Sequence, residues 1–105
     1  MSAVFLYVTF PDAQQAEALG RRAIELGHAA CLNLFPAHRS IYKWQGQLES
    51  TSEHVGLFKT TAAHIDQLEV FIRASHPYAT PCLARFNPQV NADFLDWLVN
   101  STSKP

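Results

Sequence analysis

The spacing of apolar residues along the chain changes from extended to helical and back, and each change predicts an element. Residues 4–10 are rich in β-branched and aromatic side chains, a pattern typical of a strand buried on both faces. Beyond Pro11, apolar residues recur at helical spacing over residues 16–26. A glycine inside a helix costs about 1 kcal/mol relative to alanine, so Gly20 indicates that this helix packs closely on a sheet.

Residues 31–60 are predicted to form one long β-hairpin. Its first arm covers residues 31–35 and 40–44 with an interruption at Pro36, and its turn is Gln45-Gly46, where glycine tolerates positive φ. Arms of roughly fourteen residues would reach about 45 Å, beyond the roughly 35 Å diameter of a compact domain of this size. The hairpin must therefore either bend at Pro36 or project beyond the core.

A second helix, a proline-bounded loop, a short strand and a final helix are predicted after the hairpin. The second helix has its apolar face at residues 65–72, the loop covers residues 76–81, and the strand covers residues 82–86. The order β-α-β-β-α-β with a short C-terminal helix predicts an α+β, ferredoxin-like fold. We find no repeat or linker, so we expect a single domain over residues 1–105.

The composition is that of a folded domain with little net charge. Of the 105 residues, 48% are hydrophobic and 16% are charged, and eight Lys+Arg against nine Asp+Glu give a formal charge of -1. The basic residues are scattered, so we expect no nucleic-acid partner. No apolar run is long enough to cross a bilayer, so we expect no membrane association. Two cysteines without a C-x-x-C pair favour free thiols in a reducing cytoplasm.

Candidate chemistry is sparse in this sequence. No motif pairs a nucleophile with a base, so we expect the protein not to be an enzyme. The carboxylates of residues 49–53 are expected to be solvated. The candidate metal ligands are Cys31, His76 and Cys82, whose residue types suit copper or another soft ion. In the alternative interpretation Cys31 is a small buried hydrophobe, Cys82 faces its own sheet, and His76 hydrogen-bonds to the backbone.

Tyr42 and Trp44 lie two positions apart, and therefore on the same face of their predicted strand. They could anchor a subunit interface, stack on a ligand or belong to the core. We favour the interface, because a projecting hairpin would otherwise leave both rings and an unpaired strand edge exposed. An RNA-binding use of the same fold would need an aromatic strand with glycines and basic residues, which Phe58-Lys59 does not supply.

Seven short stretches, spread over nearly the whole chain, form an ordered set of motifs. They are Tyr7-Val8-Thr9-Phe10-Pro11-Asp12, Ala29-Ala30-Cys31-Leu32-Asn33, Ser40-Ile41-Tyr42-Lys43-Trp44-Gln45-Gly46, Glu53, Lys59-Thr60-Thr61, His76-Pro77-Tyr78 and the helix that contains Trp97. In this order and spacing they resemble the CutA family of divalent-cation tolerance proteins. The resemblance implies a ferredoxin-like subunit in a tight homotrimer, in the manner of the PII signal proteins, with sheets joined across subunits.

The resemblance also implies a function and assigns site residues. The family is associated with tolerance to copper and other divalent cations, which implies metal binding and a response to metal ions. Two candidate metal residues follow from its motifs: Cys31 from Ala-Ala-Cys and His76 from His-Pro-Tyr. Ala79 and Cys82 stand where the family commonly has glutamates. The loop therefore offers fewer oxygen donors and one more sulfur, which favours soft ions.

Two further functions remain open beside metal tolerance. The first is a PII-like regulatory trimer that holds a small ligand in the clefts between subunits and signals to a partner protein. The second is a structural trimer that binds no ligand.

Overall fold

The strands and helices follow one another in the predicted order. The computed structural model describes residues 2–102, and no helix within them is long and apolar enough to cross a membrane. The elements are β1 (Ala3–Phe10), α1 (Ala13–Glu25), β2 (Cys31–Leu34), β3 (His38–Trp44), β4 (Gln47–Thr61), α2 (Ile65–Ser75), β5 (Leu83–Phe86) and α3 (Ala92–Thr102). The α+β, ferredoxin-like arrangement is confirmed, with the first arm of the hairpin divided into β2 and β3.

The strands form an antiparallel sheet in the order β2-β4-β1-β5, and β3 also pairs with β4. β1 lies inside this sheet, where Phe5 is in register with Lys59 of β4 and with Phe86 of β5. Along β1 the burial alternates, because Leu6 is fully buried whereas Phe5 and Tyr7 are half-buried. The expectation of a strand buried on both faces was therefore wrong. Helices α1 and α2 cover one face, and α3 covers only one end of the other.

The main core lies between the sheet and helices α1 and α2. Its largest fully buried side chains come from two strands and one helix: Phe10, Phe58, Leu6, Val8, Leu68 and Ile72. Helix α1 approaches β2 so closely that a Cβ atom at Gly20 would overlap Cδ2 of Leu32. The close packing predicted from this glycine is therefore present. On the opposite face, Leu98 of α3 packs with Ala3 and Ala30 in a second, smaller cluster.

A bulge at Pro36 separates β2 from β3. Residues 35–37 stand opposite only residues 54–55 of β4, because the register moves by one residue between the two strand pairings. Proline has no N–H to donate to the ladder, so an interruption of this kind tolerates it. The extra residue inverts the alternation of side chains along the arm. As a result Tyr42 and Trp44 face the side of the sheet that α1 and α2 leave open.

The hairpin of β3 and β4 projects from the rest of the fold. Residues 41–48 are all exposed, and the exposed fractions of Ile41 and Leu48 reach 69% and 76%. The turn residues Gln45-Gly46 have φ values of 50° and 80°, as a two-residue turn of type I′ requires. The molecule measures 45 Å along its longest axis and 25 and 22 Å along the others. The hairpin thus breaks at Pro36 and also projects.

Replacing Gly20 with alanine tests the close approach of α1 to β2. The added methyl group overlaps Leu32, so Gly20→Ala should lower the free energy of unfolding by about 1 kcal/mol, although alanine has the higher helix propensity. In a Leu32→Ala background the obstacle is gone, and the same substitution should raise the free energy of unfolding by up to ~1 kcal/mol. Urea denaturation of the four chains measures both effects. An effect of the same sign in both backgrounds would contradict this packing.

Candidate functional site

The imidazole of His76 ties the loop after α2 to β1. Its ring is buried, with Nε2 2.8 Å from the carbonyl oxygen of Thr9 and Nδ1 3.0 Å from the backbone nitrogen of Tyr78. A carbonyl oxygen only accepts and a backbone N–H only donates, so the ring is the neutral tautomer with its proton on Nε2. The ring also stacks on Phe10, with centroids 5.0 Å apart. Both nitrogens of this candidate ligand are therefore used by the backbone.

Pro77 restricts the backbone conformation of His76 and so the direction of its side chain. The residue before a proline avoids helical geometry, and His76 accordingly has φ -76° and ψ 139°. Its own N–H still donates to the carbonyl oxygen of Ile72 at 2.8 Å, which completes the last turn of α2. The His-Pro pair therefore ends the helix at the point where the histidine ring can reach β1.

The side chain of Tyr78 connects the loop to β4. Its hydroxyl donates a hydrogen bond of 2.6 Å to Oε2 of Glu53, whose side chain is buried. Among the described residues only this hydroxyl hydrogen-bonds to the carboxylate. Burial, followed by the hydrogen bond to the Glu53 carboxylate, raises the pKa of Tyr78 well above its ordinary value. The expectation of solvated carboxylates was wrong for Glu53, because Tyr78 covers it from a distant part of the chain.

The loop, β1 and the projecting hairpin enclose a cleft on the open side of the sheet. Its volume of about 480 Å³ falls within the range of small-molecule sites. The lining comes from β1, the hairpin and the loop: Thr9, Tyr42, Trp44, Glu53, Pro77, Tyr78, Ala79, Thr80 and Cys82. With exposed fractions of 41% and 49%, Tyr42 and Trp44 are not core residues but part of the cleft wall. Their role in a subunit interface stays a prediction.

The three candidate metal residues do not meet within one chain. Cys31 begins β2 and Cys82 precedes β5, and these strands lie at opposite ends of the order β2-β4-β1-β5. Three strand spacings and the offset along β5 separate the two cysteines by roughly 20 Å. Cys31 is half-buried and Cys82 is exposed at the cleft, whose lining does not include His76. Within residues 2–102, no group of three or more His, Cys, Asp or Glu side chains is placed to hold a metal ion.

The sequence contained a signal for the missed residue, Glu53. Glu53 is the one motif of the ordered set that consists of a single residue. It lies in a polar segment whose other carboxylates are expected on a solvated face, so its presence in the set distinguishes it from them. Its burial follows from the register, because it lies on the same face of β4 as Thr51 and Glu49, which pair with Ser40 and Tyr42 of β3. That face is the one the loop covers.

Comparison with known proteins identifies one family. The family model for the CutA1 divalent ion tolerance protein matches residues 4–101. The divalent-cation tolerance protein CutA of Pectobacterium atrosepticum is 37% identical over 91% of this chain and 88% of its own length. The crystal structure of CutA1 from Ehrlichia chaffeensis has a TM-score of 0.93 at 28% identity, over 97% of this chain and 96% of its own. The periplasmic divalent cation tolerance protein CutA from Archaeoglobus fulgidus has a TM-score of 0.92 at 29% identity, over 96% and 99% of the chains.

The raised pKa of Tyr78 predicts a loss of stability at high pH. Above about pH 10 an unfolded tyrosine ionises, whereas folded Tyr78 keeps its proton, so the free energy of unfolding falls as the pH rises. At pH 8, Tyr78→Phe should lower the free energy of unfolding by about 1–3 kcal/mol, because the buried Glu53 carboxylate loses its donor. Between pH 8 and pH 11 the variant should then lose less stability than the wild type. Urea denaturation at both pH values measures this, and equal losses would argue against the buried hydrogen bond.

Proposed function

Because the chain belongs to the CutA1 divalent ion tolerance protein family, we propose that it acts in the cellular response to metal ions as a copper-binding homotrimer. Copper binds as Cu(I), through the thiolate of Cys82. The observation that carries this assignment is the position of Cys82, exposed in a cleft that also contains the Glu53 carboxylate. Thiolate is the ligand that Cu(I) prefers, and with Ala79 and Cys82 the loop offers fewer of the oxygen donors that hard ions require.

The roles of the other two candidate residues differ from that of Cys82. His76 positions the loop that carries Cys82, because both of its ring nitrogens hold backbone groups. Cys31 lies at the far edge of the sheet, where the Asn33 amide donates to its Sγ at 3.8 Å. It is a second and separate thiol that contributes little to the affinity of the cleft for copper.

The homotrimer is supported by the surface that one chain leaves uncovered. Tyr7 and Leu57 lie half-buried on the open side of the sheet, and the hairpin exposes Ile41 and Leu48 beyond it. Burial of apolar area contributes about 25 cal/mol per Å², so association of these surfaces stabilises the folded chain.

A location in the cytoplasm agrees with the two free cysteines, because that compartment is reducing and keeps an exposed thiol such as Cys82 from oxidising. The Archaeoglobus relative is described as periplasmic, so the location of this protein calls for fractionation of the cells that make it.

A second candidate function is regulation through a small ligand held in the cleft of each subunit. The observation that favours it is the wall of three aromatic rings, Tyr42, Trp44 and Tyr78, around a volume of about 480 Å³. Such walls suit organic molecules better than a bare metal ion. In this function Cys82 is incidental, and the occupied cleft signals to a partner protein.

The trimer predicts a solution mass three times that of the chain, measurable by multi-angle light scattering at micromolar concentration. Replacing Ile41 and Leu48 together with serine should shift the mass towards that of the monomer, because both side chains are exposed on the hairpin and lie outside the cleft. Val70→Ser is the matched control, since Val70 is 70% exposed on α2, away from that hairpin. A monomer mass for the wild type would rule out the trimer. Equal effects of the hairpin variant and the control would rule out the role of the hairpin.

Copper binding predicts a specific loss in one cysteine variant. In competition with a chromogenic Cu(I) chelator, Cys82→Ser should lower the affinity at least about tenfold, because the soft ion loses its thiolate. Cys31→Ser is the control and should change the affinity little. The affinity should also fall as the pH is lowered, since binding requires a deprotonated thiol. Unchanged Cu(I) affinity in a Cys82→Ser protein of wild-type mass would refute the assignment.

A further inference from the structure

The buried carboxylate of the cleft has an unused acceptor. Glu53 is only 8% exposed, and its Oε2 accepts the hydroxyl of Tyr78. Among the described residues nothing hydrogen-bonds to the other oxygen, Oε1, and no buried side-chain oxygen of those residues lacks a partner, so Oε1 is accessible from the cleft. A buried carboxylate with a single neutral donor favours a cationic partner, because such a partner supplies both the missing hydrogen bond and the opposite charge.

No positive side chain of the cleft competes for this carboxylate. The lining residues of the described chain include neither lysine nor arginine. Of the basic residues of β3, Arg39 and Lys43 are in register with Ser52 and Leu48, on the face of the hairpin turned away from Glu53. The guanidinium of Arg39 donates to the hydroxyl of Ser50 on that same outer face. His38 is in register with Glu53 itself, but its Nε2 lies 3.1 Å from the hydroxyl oxygen of Ser40 and makes no ion pair with the carboxylate. Within residues 2–102, none of the ion pairs involves the carboxylate of Glu53.

The walls of the cleft add a second preference for cations. Tyr42 and Trp44 from β3 and Tyr78 from the loop all line it. The faces of such rings carry partial negative charge and attract ammonium groups, most strongly where water is excluded. Aromatic rings also pack well against alkyl groups. The three rings and Glu53 together match a molecule that has one positive end and an apolar body.

We propose that this cleft binds a small protonated organic amine, whose ammonium group donates to Oε1 of Glu53 while its alkyl part packs against Tyr42, Trp44 and Tyr78. This inference rests on the small-ligand function proposed above and specifies its ligand class. It does not involve copper, because the ammonium group needs no thiol.

Three probes that share a neopentyl group separate charge from shape: neopentylammonium, neopentyl alcohol and 3,3-dimethylbutanoate. Each is titrated into the full-length protein at constant ionic strength, and the indole N–H signals of the two tryptophans are followed by NMR. Trp44 lines the cleft, whereas Trp97 stacks on Phe94 of α3 and is the internal reference. The ammonium probe should shift the Trp44 signal in a saturable way, with an affinity at least about tenfold higher than that of the alcohol. The carboxylate should bind more weakly still.

Two variants test the residues involved. Glu53→Gln keeps an acceptor for Tyr78 but removes the charge, and it should reduce the affinity for the ammonium probe at least about tenfold. Val70→Ser, on α2 and outside the lining of the cleft, should leave that affinity unchanged, and the titrations contain no copper, so a failure of copper binding does not affect this result. Equal affinities of the ammonium and alcohol probes, or no effect of Glu53→Gln in a protein of wild-type mass, would overturn the amine proposal while keeping a ligand cleft. No response of Trp44 to any probe would overturn both the amine proposal and the small-ligand function.

Discussion

Two hydrogen bonds of one imidazole ring hold the loop on which the rest of the cleft depends. His76 bonds through Nε2 to β1 and through Nδ1 to the backbone of Tyr78, two residues further along the loop. Each bond contributes about 1 kcal/mol net, and loss of the ring would remove the partner of two part-buried backbone groups. Because the loop is held in this way, the hydroxyl of Tyr78 reaches Glu53. His76, a candidate metal ligand by its residue type, therefore uses both ring nitrogens to hold the loop whose side chains line the cleft.

The second constraint is the bulge at Pro36. Without the extra residue, the alternation of β2 would continue into the hairpin and place Ile41 and Lys43 on the side of the cleft. The bulge instead places Tyr42 and Trp44 there, on the face that also carries Glu53. One local irregularity therefore decides whether the cleft has aromatic walls or a lysine. It also leaves an exposed hairpin with apolar residues on both faces, which is the surface proposed for the subunit contact.

The parts of the fold that depend on neighbouring residues could be predicted from the sequence. Alternating and helical spacing predicted the order of the elements, Gln45-Gly46 the turn, and Gly20 the close packing of the first helix on the sheet. The parts that depend on distant residues could not. Glu53 is buried by a tyrosine 25 positions away, and only its place among the ordered motifs, not the polar residues around it, distinguishes it in the sequence. The two cysteines are far apart because β2 and β5 lie at opposite ends of the sheet. The spacing of residues along the chain predicts the strands, but it does not show which side chains come close together in the sheet.

The cleft depends on His76 holding the loop through both ring nitrogens rather than binding a metal ion. Long-range ¹H–¹⁵N spectra of the histidine rings test it most directly, because they distinguish a protonated from an unprotonated ring nitrogen. We expect a protonated Nε2 and an unprotonated Nδ1 for His76, with both signals unchanged when Cu(I) is added to the protein. The opposite tautomer, or a copper-dependent shift of either nitrogen of His76, would contradict it.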